Sequence, residues 1–164
     1  MVLKRLFKIT LVGLLFWIFL FAQNSVDATT FTTPRTEEIL SEMRPDLEVV
    51  DRYLTSIPSD YFAITSIEQL KSLITDQQAV IVDVREPAEY QAGHIPNAIN
   101  IPLRTISRNL NKIPKDRPVI LYCSTGYRSS MGVMTLHLLN YENVQGFPPS
   151  LSGWTQAGGA IVKS

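Results

Sequence analysis

The 164-residue chain contains one cysteine, Cys123, and two histidines, His94 and His137. A single cysteine excludes an intrachain disulfide framework and any cysteine-rich metal site. The two histidines are far apart in the sequence and lack metal-ligand spacing, which gives little support for a zinc site. The formal net charge is zero, so the composition points to no nucleic-acid or other polyanionic partner. The sequence has no internal repeat and no low-complexity segment.

The N-terminus begins with a basic stretch that is followed by an uncharged apolar run. Three basic residues within the first eight precede the run from Ile9 to Ala22, and this order is typical of a secretory signal sequence. Val26, Asp27 and Ala28 then provide small residues around a plausible cleavage position. The sequence therefore predicts a signal peptide over residues 1–28 and export to the periplasm or the outside. An uncleaved membrane anchor is the alternative.

Two further regions follow this leader. A threonine-rich linker and a helical extension are expected over residues 29–59, and a folded domain over residues 60–164. Within the extension, helices are expected from Thr36 to Met43 and from Pro45 to Ile57, because threonine and proline favour helix starts. The extension is predicted to pack on the main domain, and a partner-binding arm is the alternative.

Short apolar runs alternate with helical segments in the folded domain. Strands are predicted at 61–64, 79–84, 98–101, 118–122 and 143–145. Helices are predicted at 66–74, 87–92, 103–110, 131–139 and 151–157. This alternation predicts an α/β fold with a mostly parallel sheet that carries helices on both faces. Ligands bind such sheets at the carboxyl ends of the strands, where Asp83 and Cys123 are both predicted to lie.

The cysteine opens a short polar loop between a predicted strand and a predicted helix. The loop consists of Cys123, Ser124, Thr125, Gly126, Tyr127, Arg128 and Ser129. Free backbone N–H groups near a helix start lower the pKa of a thiol and hold an anion, and Gly126 permits tight curvature. The pattern makes Cys123 a candidate nucleophile, with a buried inert cysteine as the alternative.

Three separated blocks resemble the rhodanese-like domain family. They are Asp83 to Tyr90, Gly93 to Pro102 and Cys123 to Ser129. The resemblance covers about 60–160 and implies an α/β domain with about five mostly parallel strands. It implies a sulfurtransferase that moves a sulfane sulfur from a donor such as thiosulfate to a thiol or cyanide through a persulfide on Cys123. It implies no cofactor, no metal and a monomer whose acceptor is a small thiol or a sulfur-accepting protein.

The loop residues after the cysteine are the candidate substrate-binding residues. They are Ser124, Thr125, Gly126, Tyr127, Arg128 and Ser129. Arg128 is expected either to pair with an anionic donor or to brace the loop against Asp83 or Glu89. Asp83 and Arg85 are expected to form an ion pair that supports the site structurally rather than taking part in the chemistry.

The length of the loop favours sulfur transfer over phosphate chemistry. Four residues separate Cys123 from Arg128, whereas phosphatases and arsenate reductases that resemble this family usually have five. The shorter loop fits one sulfur atom better than a tetrahedral oxyanion. The donor stays open, because neither family pattern matches fully. Thr125 stands where thiosulfate-using enzymes often have a basic residue and mercaptopyruvate enzymes a small hydroxyl residue, but Ser124 stands where the latter have glycine.

Two features of the sequence leave the function open. The family usually has paired glycines before a tryptophan, but here Ser152 and Gly153 directly precede Trp154, after the stretch Phe147 to Ser150. This departure lies close to one rim of the pocket, so the shape of the entrance stays open. A catalytic domain does not need the helical extension, so a non-enzymatic binding or redox-sensing module is the alternative function.

Overall fold

A computed structural model describes residues 34–164 of the chain. The elements run, in chain order, α1 (Pro34–Ser56), α2 (Ile67–Asp76), β1 (Val80–Asp83), α3 (Pro87–Ala92), β2 (Ile99–Asn100), two 3₁₀-helices η1 (Leu103–Arg108) and η2 (Leu110–Lys112), β3 (Val119–Tyr122), α4 (Tyr127–Leu138), β4 (Val144–Gly146) and α5 (Ser150–Gln156). The signal peptide predicted over residues 1–28 lies outside the described residues. Among the helices of residues 34–164, none combines the length and the hydrophobicity needed to cross a membrane.

The chain divides into two units after Pro45, and residues 46–164 form the second of them. Helix α1 contributes to both, since the backbone is helical from Pro34 to Ser56. The sequence predicted two helices separated at Pro45, and this prediction is wrong. The fixed φ of proline is a helical value, so proline is compatible with helical dihedral angles although it removes one N–H donor.

Four parallel strands within the described residues form one sheet in the order β2-β1-β3-β4. Asp83 at the end of β1 is paired in register with Tyr122 at the end of β3. The next residue along β3 is Cys123, so the cysteine and Asp83 both lie at the carboxyl edge of the sheet. This confirms the predicted α/β fold with a parallel sheet.

The two faces of the sheet have separate hydrophobic cores. The core on one face includes Val82, Leu121, Ile106, Val133 and Leu136. The core on the other face includes Ile81, Ile120, Leu70, Phe147 and Trp154. Neighbouring residues of a strand point to opposite faces, which is why the apolar runs of β1 and β3 supply both cores. The helices that cover the two faces are η1 and α4 on one, and α2 and α5 on the other.

The first predicted strand, Tyr61 to Ile64, is reduced to a single bridge between Ala63 and Gly146. Tyr61 and Phe62 both have φ of 55°, in the left-handed region that extended strands do not use. The Ile64 N–H still donates to the Gly146 carbonyl at 2.8 Å. Of the about five strands that the sequence predicts, four are present in the described residues. The remaining one is reduced to this bridge, at the edge of the sheet beside β4.

The helix predicted from residue 103 to residue 110 is also different in the structure. This stretch forms the two short 3₁₀-helices η1 and η2, which meet at Asn109. By contrast, the helix predicted over 66–74 is confirmed as α2, and the Ser66 hydroxyl caps it by accepting from the Gln69 N–H at 3.2 Å. The sequence thus identified the helical character of both segments, but not the tighter turns of the second.

Candidate active site

Cys123 follows β3 directly and its side chain is 1% exposed. The loop turns at Gly126, whose φ of 102° is left-handed, and α4 begins at the next residue, Tyr127. The Gly126 N–H donates to the Cys123 Sγ at 3.1 Å. The helix was predicted to begin at residue 131; its earlier start places Arg128 and Ser129 in the first turn, beside the sulfur.

The surroundings of the sulfur favour its negatively charged form. Burial alone raises the pKa of the Cys123 thiol, but the backbone N–H groups of Ser129, Thr125 and Gly126 and the Ser150 hydroxyl outweigh it. The pKa of Cys123 therefore lies below its ordinary value. A lower pKa increases the fraction of thiolate, the nucleophilic form, at neutral pH.

The hydroxyl of Ser129 stabilises the loop from the helix side. It donates to the Gly126 carbonyl at 2.8 Å, and its oxygen lies 3.9 Å from the Cys123 Sγ. Tyr127 and Thr125, by contrast, have exposed side chains, and Tyr127 is 80% exposed. Of the predicted substrate-binding residues, Thr125, Gly126 and Ser129 thus face the sulfur through their backbone N–H groups. The side chains of Thr125 and Tyr127 lie on the outer surface of the loop.

Arg128 braces the loop against α3. Its two terminal nitrogens donate to the two Glu89 carboxylate oxygens at 2.6 and 2.8 Å, and one of them also donates to Ser124 Oγ at 3.0 Å. Glu89 accepts in addition from the Glu86 N–H at the start of α3. Arg128 is therefore paired with Glu89, and not with Asp83, the other acidic partner that the sequence left open.

Glu89 is held as a carboxylate by this contact. Hydrogen bonds from Arg128 lower the pKa of Glu89 to about 2 from an ordinary value near 4.5. Because the folded pKa is depressed, the ion pair contributes its full stability above about pH 5, and the contribution is lost as the pH falls towards 2. The stability that this ion pair gives the loop therefore depends on the ionisation of the Glu89 carboxyl group.

We expect Glu89→Gln to lower the free energy of unfolding at neutral pH by about 1 kcal/mol, a value discounted for screening by solvent, since the Glu89 side chain is 37% exposed. Urea unfolding of both proteins at neutral pH and at about pH 2 measures this difference. Most of the difference should disappear at the lower pH, because about half of Glu89 is then protonated in the folded protein and nearly all of it in the unfolded one. The control is Glu142→Gln, which removes an exposed carboxylate; a difference that persists at low pH would contradict the ion-pair explanation.

Asp83 and Arg85 form a buried ion pair at the carboxyl end of β1. The Arg85 Nη2 lies 2.6 Å from the Asp83 Oδ2 and also donates to the Gly93 carbonyl at 2.7 Å. Asn100 of β2 donates to the carbonyls of both Asp83 and Arg85. The contacts of this pair thus connect β1 to β2 and to the end of α3.

Two residues that contact the cysteine loop were not among the predicted site residues. Glu89 appeared only as one of two possible partners of Arg128, and Ser150 appeared only as part of an atypical segment before Trp154. Ser150 Oγ lies 3.9 Å from the Cys123 Sγ although the two residues are 27 positions apart. The atypical segment was the signal available in the sequence, but nothing there marks one hydroxyl as close to the cysteine.

No group of three or more His, Cys, Asp or Glu side chains in residues 34–164 is arranged to hold a metal ion. His94 is stacked on Tyr90 with ring centroids 3.6 Å apart, and His137 is stacked on Phe62 at 4.0 Å.

The contacts around Cys123 support nucleophilic attack by its sulfur, because backbone N–H groups stabilise an anion there.

Comparison with known proteins gives consistent matches. A family model described as the rhodanese-like domain matches residues 66–157, more than half of the 164 residues. A sulfurtransferase of Allochromatium vinosum is 35% identical over 96 residues, 58% of this chain and 90% of that protein. A thiosulfate:glutathione sulfurtransferase of Saccharomyces cerevisiae is 32% identical over 110 residues, 57% of this chain and 78% of that protein.

Solved structures and further relatives agree with these matches. The crystal structure of a rhodanese-related protein from Thermoplasma volcanium superposes with a TM-score of 0.56 at 25% identity, covering 62% of this chain and 98% of that one. The chain spans about half the length of two relatives from Bacillus subtilis, 49% and 48%. One of these two is named a putative sulfur carrier protein.

Proposed function

The chain belongs to the rhodanese-like domain family, and from this membership we propose that it transfers sulfane sulfur through a persulfide on Cys123. The observation that carries the proposal is the buried Sγ that accepts the Gly126 N–H at 3.1 Å. Relatives named sulfurtransferases support this class of reaction at the level of the family.

In the first step, the Cys123 thiolate attacks the outer sulfur of the donor. With thiosulfate, a bond forms between Sγ and that sulfur, the S–S bond of the donor breaks, and sulfite leaves with the electron pair. The product on the protein is a persulfide anion with the same charge as the thiolate that formed it. The N–H groups that lower the pKa of Cys123 stabilise the thiolate, and a concave row of backbone N–H groups also suits the persulfide anion, whose charge lies mainly on the added sulfur.

In the second step, an acceptor thiolate attacks the terminal sulfur of the persulfide. The electron pair of the broken S–S bond returns to Sγ, which regenerates the Cys123 thiolate and releases a persulfide of the acceptor. Since Cys123 is the only cysteine of the chain, the persulfide cannot be discharged as an intrachain disulfide. The acceptor must therefore be a separate molecule.

We propose thiosulfate and glutathione as the first pair of substrates to test, because the yeast relative is named for them. Within the loop, the one cation is Arg128, and its guanidinium is already paired with Glu89. Thr125 is neutral and exposed. A donor anion would accordingly be bound through backbone N–H groups rather than by a free loop cation, which favours a weakly bound thiosulfate.

Incubation of the purified protein with thiosulfate should add the mass of one sulfur atom, as measured by intact mass spectrometry. Adding glutathione should remove that sulfur, and initial rates should follow a ping-pong pattern. Cys123→Ser is the control and should gain no mass. The absence of a mass gain on the wild type, or a gain that survives in Cys123→Ser, would refute the persulfide and leave the binding or redox-sensing module as the function.

A further inference from the structure

Ser150 occupies a backbone conformation that suits glycine. Its φ is 54°, and its side chain is completely buried. A left-handed conformation is unfavourable for residues with a Cβ atom, and burial of a hydroxyl is unfavourable unless it is hydrogen-bonded. A glycine would avoid both costs, so the contacts of the side chain are the feature to examine.

The Ser150 hydroxyl joins two buried backbone groups and the sulfur. Its oxygen accepts from the Cys123 N–H at 3.2 Å, and its proton is donated to the Phe147 carbonyl at 2.9 Å. The same oxygen lies 3.9 Å from the Cys123 Sγ. The hydroxyl thus contacts both the backbone and the side chain of the cysteine, and it has two acceptors for its single proton.

Backbone hydrogen bonds hold Ser150 against the loop. The Leu151 N–H donates to the Cys123 carbonyl, and the Ser152 N–H donates to the Ser124 carbonyl, each at 3.1 Å. These bonds do not depend on the ionisation of the sulfur. Only the direction of the hydroxyl proton has to change between the thiol and its anion, and rotation about one C–O bond achieves this.

We propose that Ser150 is a residue of the sulfur site, fixing the Cys123 backbone and turning its hydroxyl proton towards the sulfur when the sulfur is anionic. For the persulfide, this inference rests on the proposed function; for the thiolate, it stands on the contacts alone. With the neutral thiol, the Ser150 hydroxyl donates to the Phe147 carbonyl. With the anion, which is the stronger acceptor, the same hydroxyl donates to Sγ instead.

The charged groups around the sulfur come from other elements. Arg128 of α4 interacts electrostatically with Cys123, and Glu89 of α3 is paired with Arg128. Both groups keep their charges through the range in which a cysteine titrates, because the pKa of Arg128 is raised and that of Glu89 is lowered. A change in the titration of Cys123 on substitution of Ser150 is therefore separate from the titration of this ion pair.

The test is a thiolate titration followed by ultraviolet absorbance, corrected with Cys123→Ser so that the tyrosines do not contribute. Ser150→Ala removes the hydroxyl and keeps a Cβ at the left-handed position, whereas Ser150→Gly removes both. We expect both variants to move the titration midpoint up by about 0.5 to 1 pH unit, since hydrogen bonds to charged groups are the stronger ones. Ser152→Ala, an exposed neighbour, is the matched control and should leave the midpoint in place.

Each outcome decides the proposal. Unchanged titration midpoints in both variants overturn it. A midpoint that shifts in Ser150→Ala but not in Ser150→Gly also overturns it, because the shift would then come from the backbone conformation rather than from the lost hydroxyl. A shift in Ser152→Ala would assign it to loosening of the segment. Glycine suits a φ of 54°, so Ser150→Gly provides a folded protein even if the alanine variant is unstable. The titration needs no sulfur donor, so its result is independent of whether the wild type takes up sulfur from thiosulfate.

Discussion

Arg85→Met is expected to lower the free energy of unfolding by about 3 to 5 kcal/mol, the usual cost of leaving one member of a buried ion pair without its partner. The Asp83 side chain is completely buried and Arg85 is 5% exposed. The guanidinium donates to both Asp83 oxygens and to the Gly93 carbonyl, so methionine leaves a buried charge and a buried carbonyl unsatisfied. Urea unfolding at neutral pH measures the loss.

Two matched variants test whether the unpaired charge is the cause. The double variant Asp83→Asn and Arg85→Met removes both charges and should recover part of the stability, because no buried carboxylate remains. Arg117→Met breaks an exposed pair with Asp116 and should have little effect. A double variant that is no more stable than Arg85→Met would show that lost packing, rather than the unpaired charge, dominates.

Gly126→Ala is expected to reduce the rate of sulfur loading from thiosulfate by about 100-fold, the loss typical when one donor to a reacting anion is displaced. The Gly126 φ of 102° is unfavourable for alanine, and an added Cβ would lie 2.8 Å from the Pro148 carbonyl oxygen. Both effects push the loop away from the segment opposite, and the Gly126 N–H moves with it. Loading is followed by intact mass at increasing times.

The control for Gly126→Ala is Gly158→Ala. Gly158 also has a left-handed φ, 73°, but an added Cβ there meets nothing within 4 Å. This variant should lose some stability and keep the wild-type rate of loading. If the two variants load sulfur equally well, the close approach of the loop to Pro148 is unimportant for the site.

The parts of the fold that follow local patterns were predictable from the sequence. The apolar runs of β1 and β3 are short and rich in branched residues, and the parallel sheet places both carboxyl ends at one edge. The position of Cys123 after β3 followed from these patterns. The start of α4 was misplaced by four residues, because Tyr127 to Ser130 are polar or aromatic residues without a helical apolar period.

The roles that the sequence left open or missed are those that depend on distant contacts. The Arg128 partner is 39 positions away on α3, and Ser150 is 27 positions from Cys123. No local period connects such pairs. The lost fifth strand has a similar cause, since the left-handed angles of Tyr61 and Phe62 are not indicated by residue type.

The sulfur site is assembled from two stretches of chain that meet only in the folded protein. The segment from Phe147 to Ser152 donates three backbone hydrogen bonds, to Leu121, Cys123 and Ser124. If that segment separated from β3, the sulfur would lose the Ser150 hydroxyl and its cover together, and only the N–H groups of its own loop would still stabilise the thiolate. The accessibility of Cys123 to a thiol reagent consequently depends on the contact between this C-terminal segment and the end of β3.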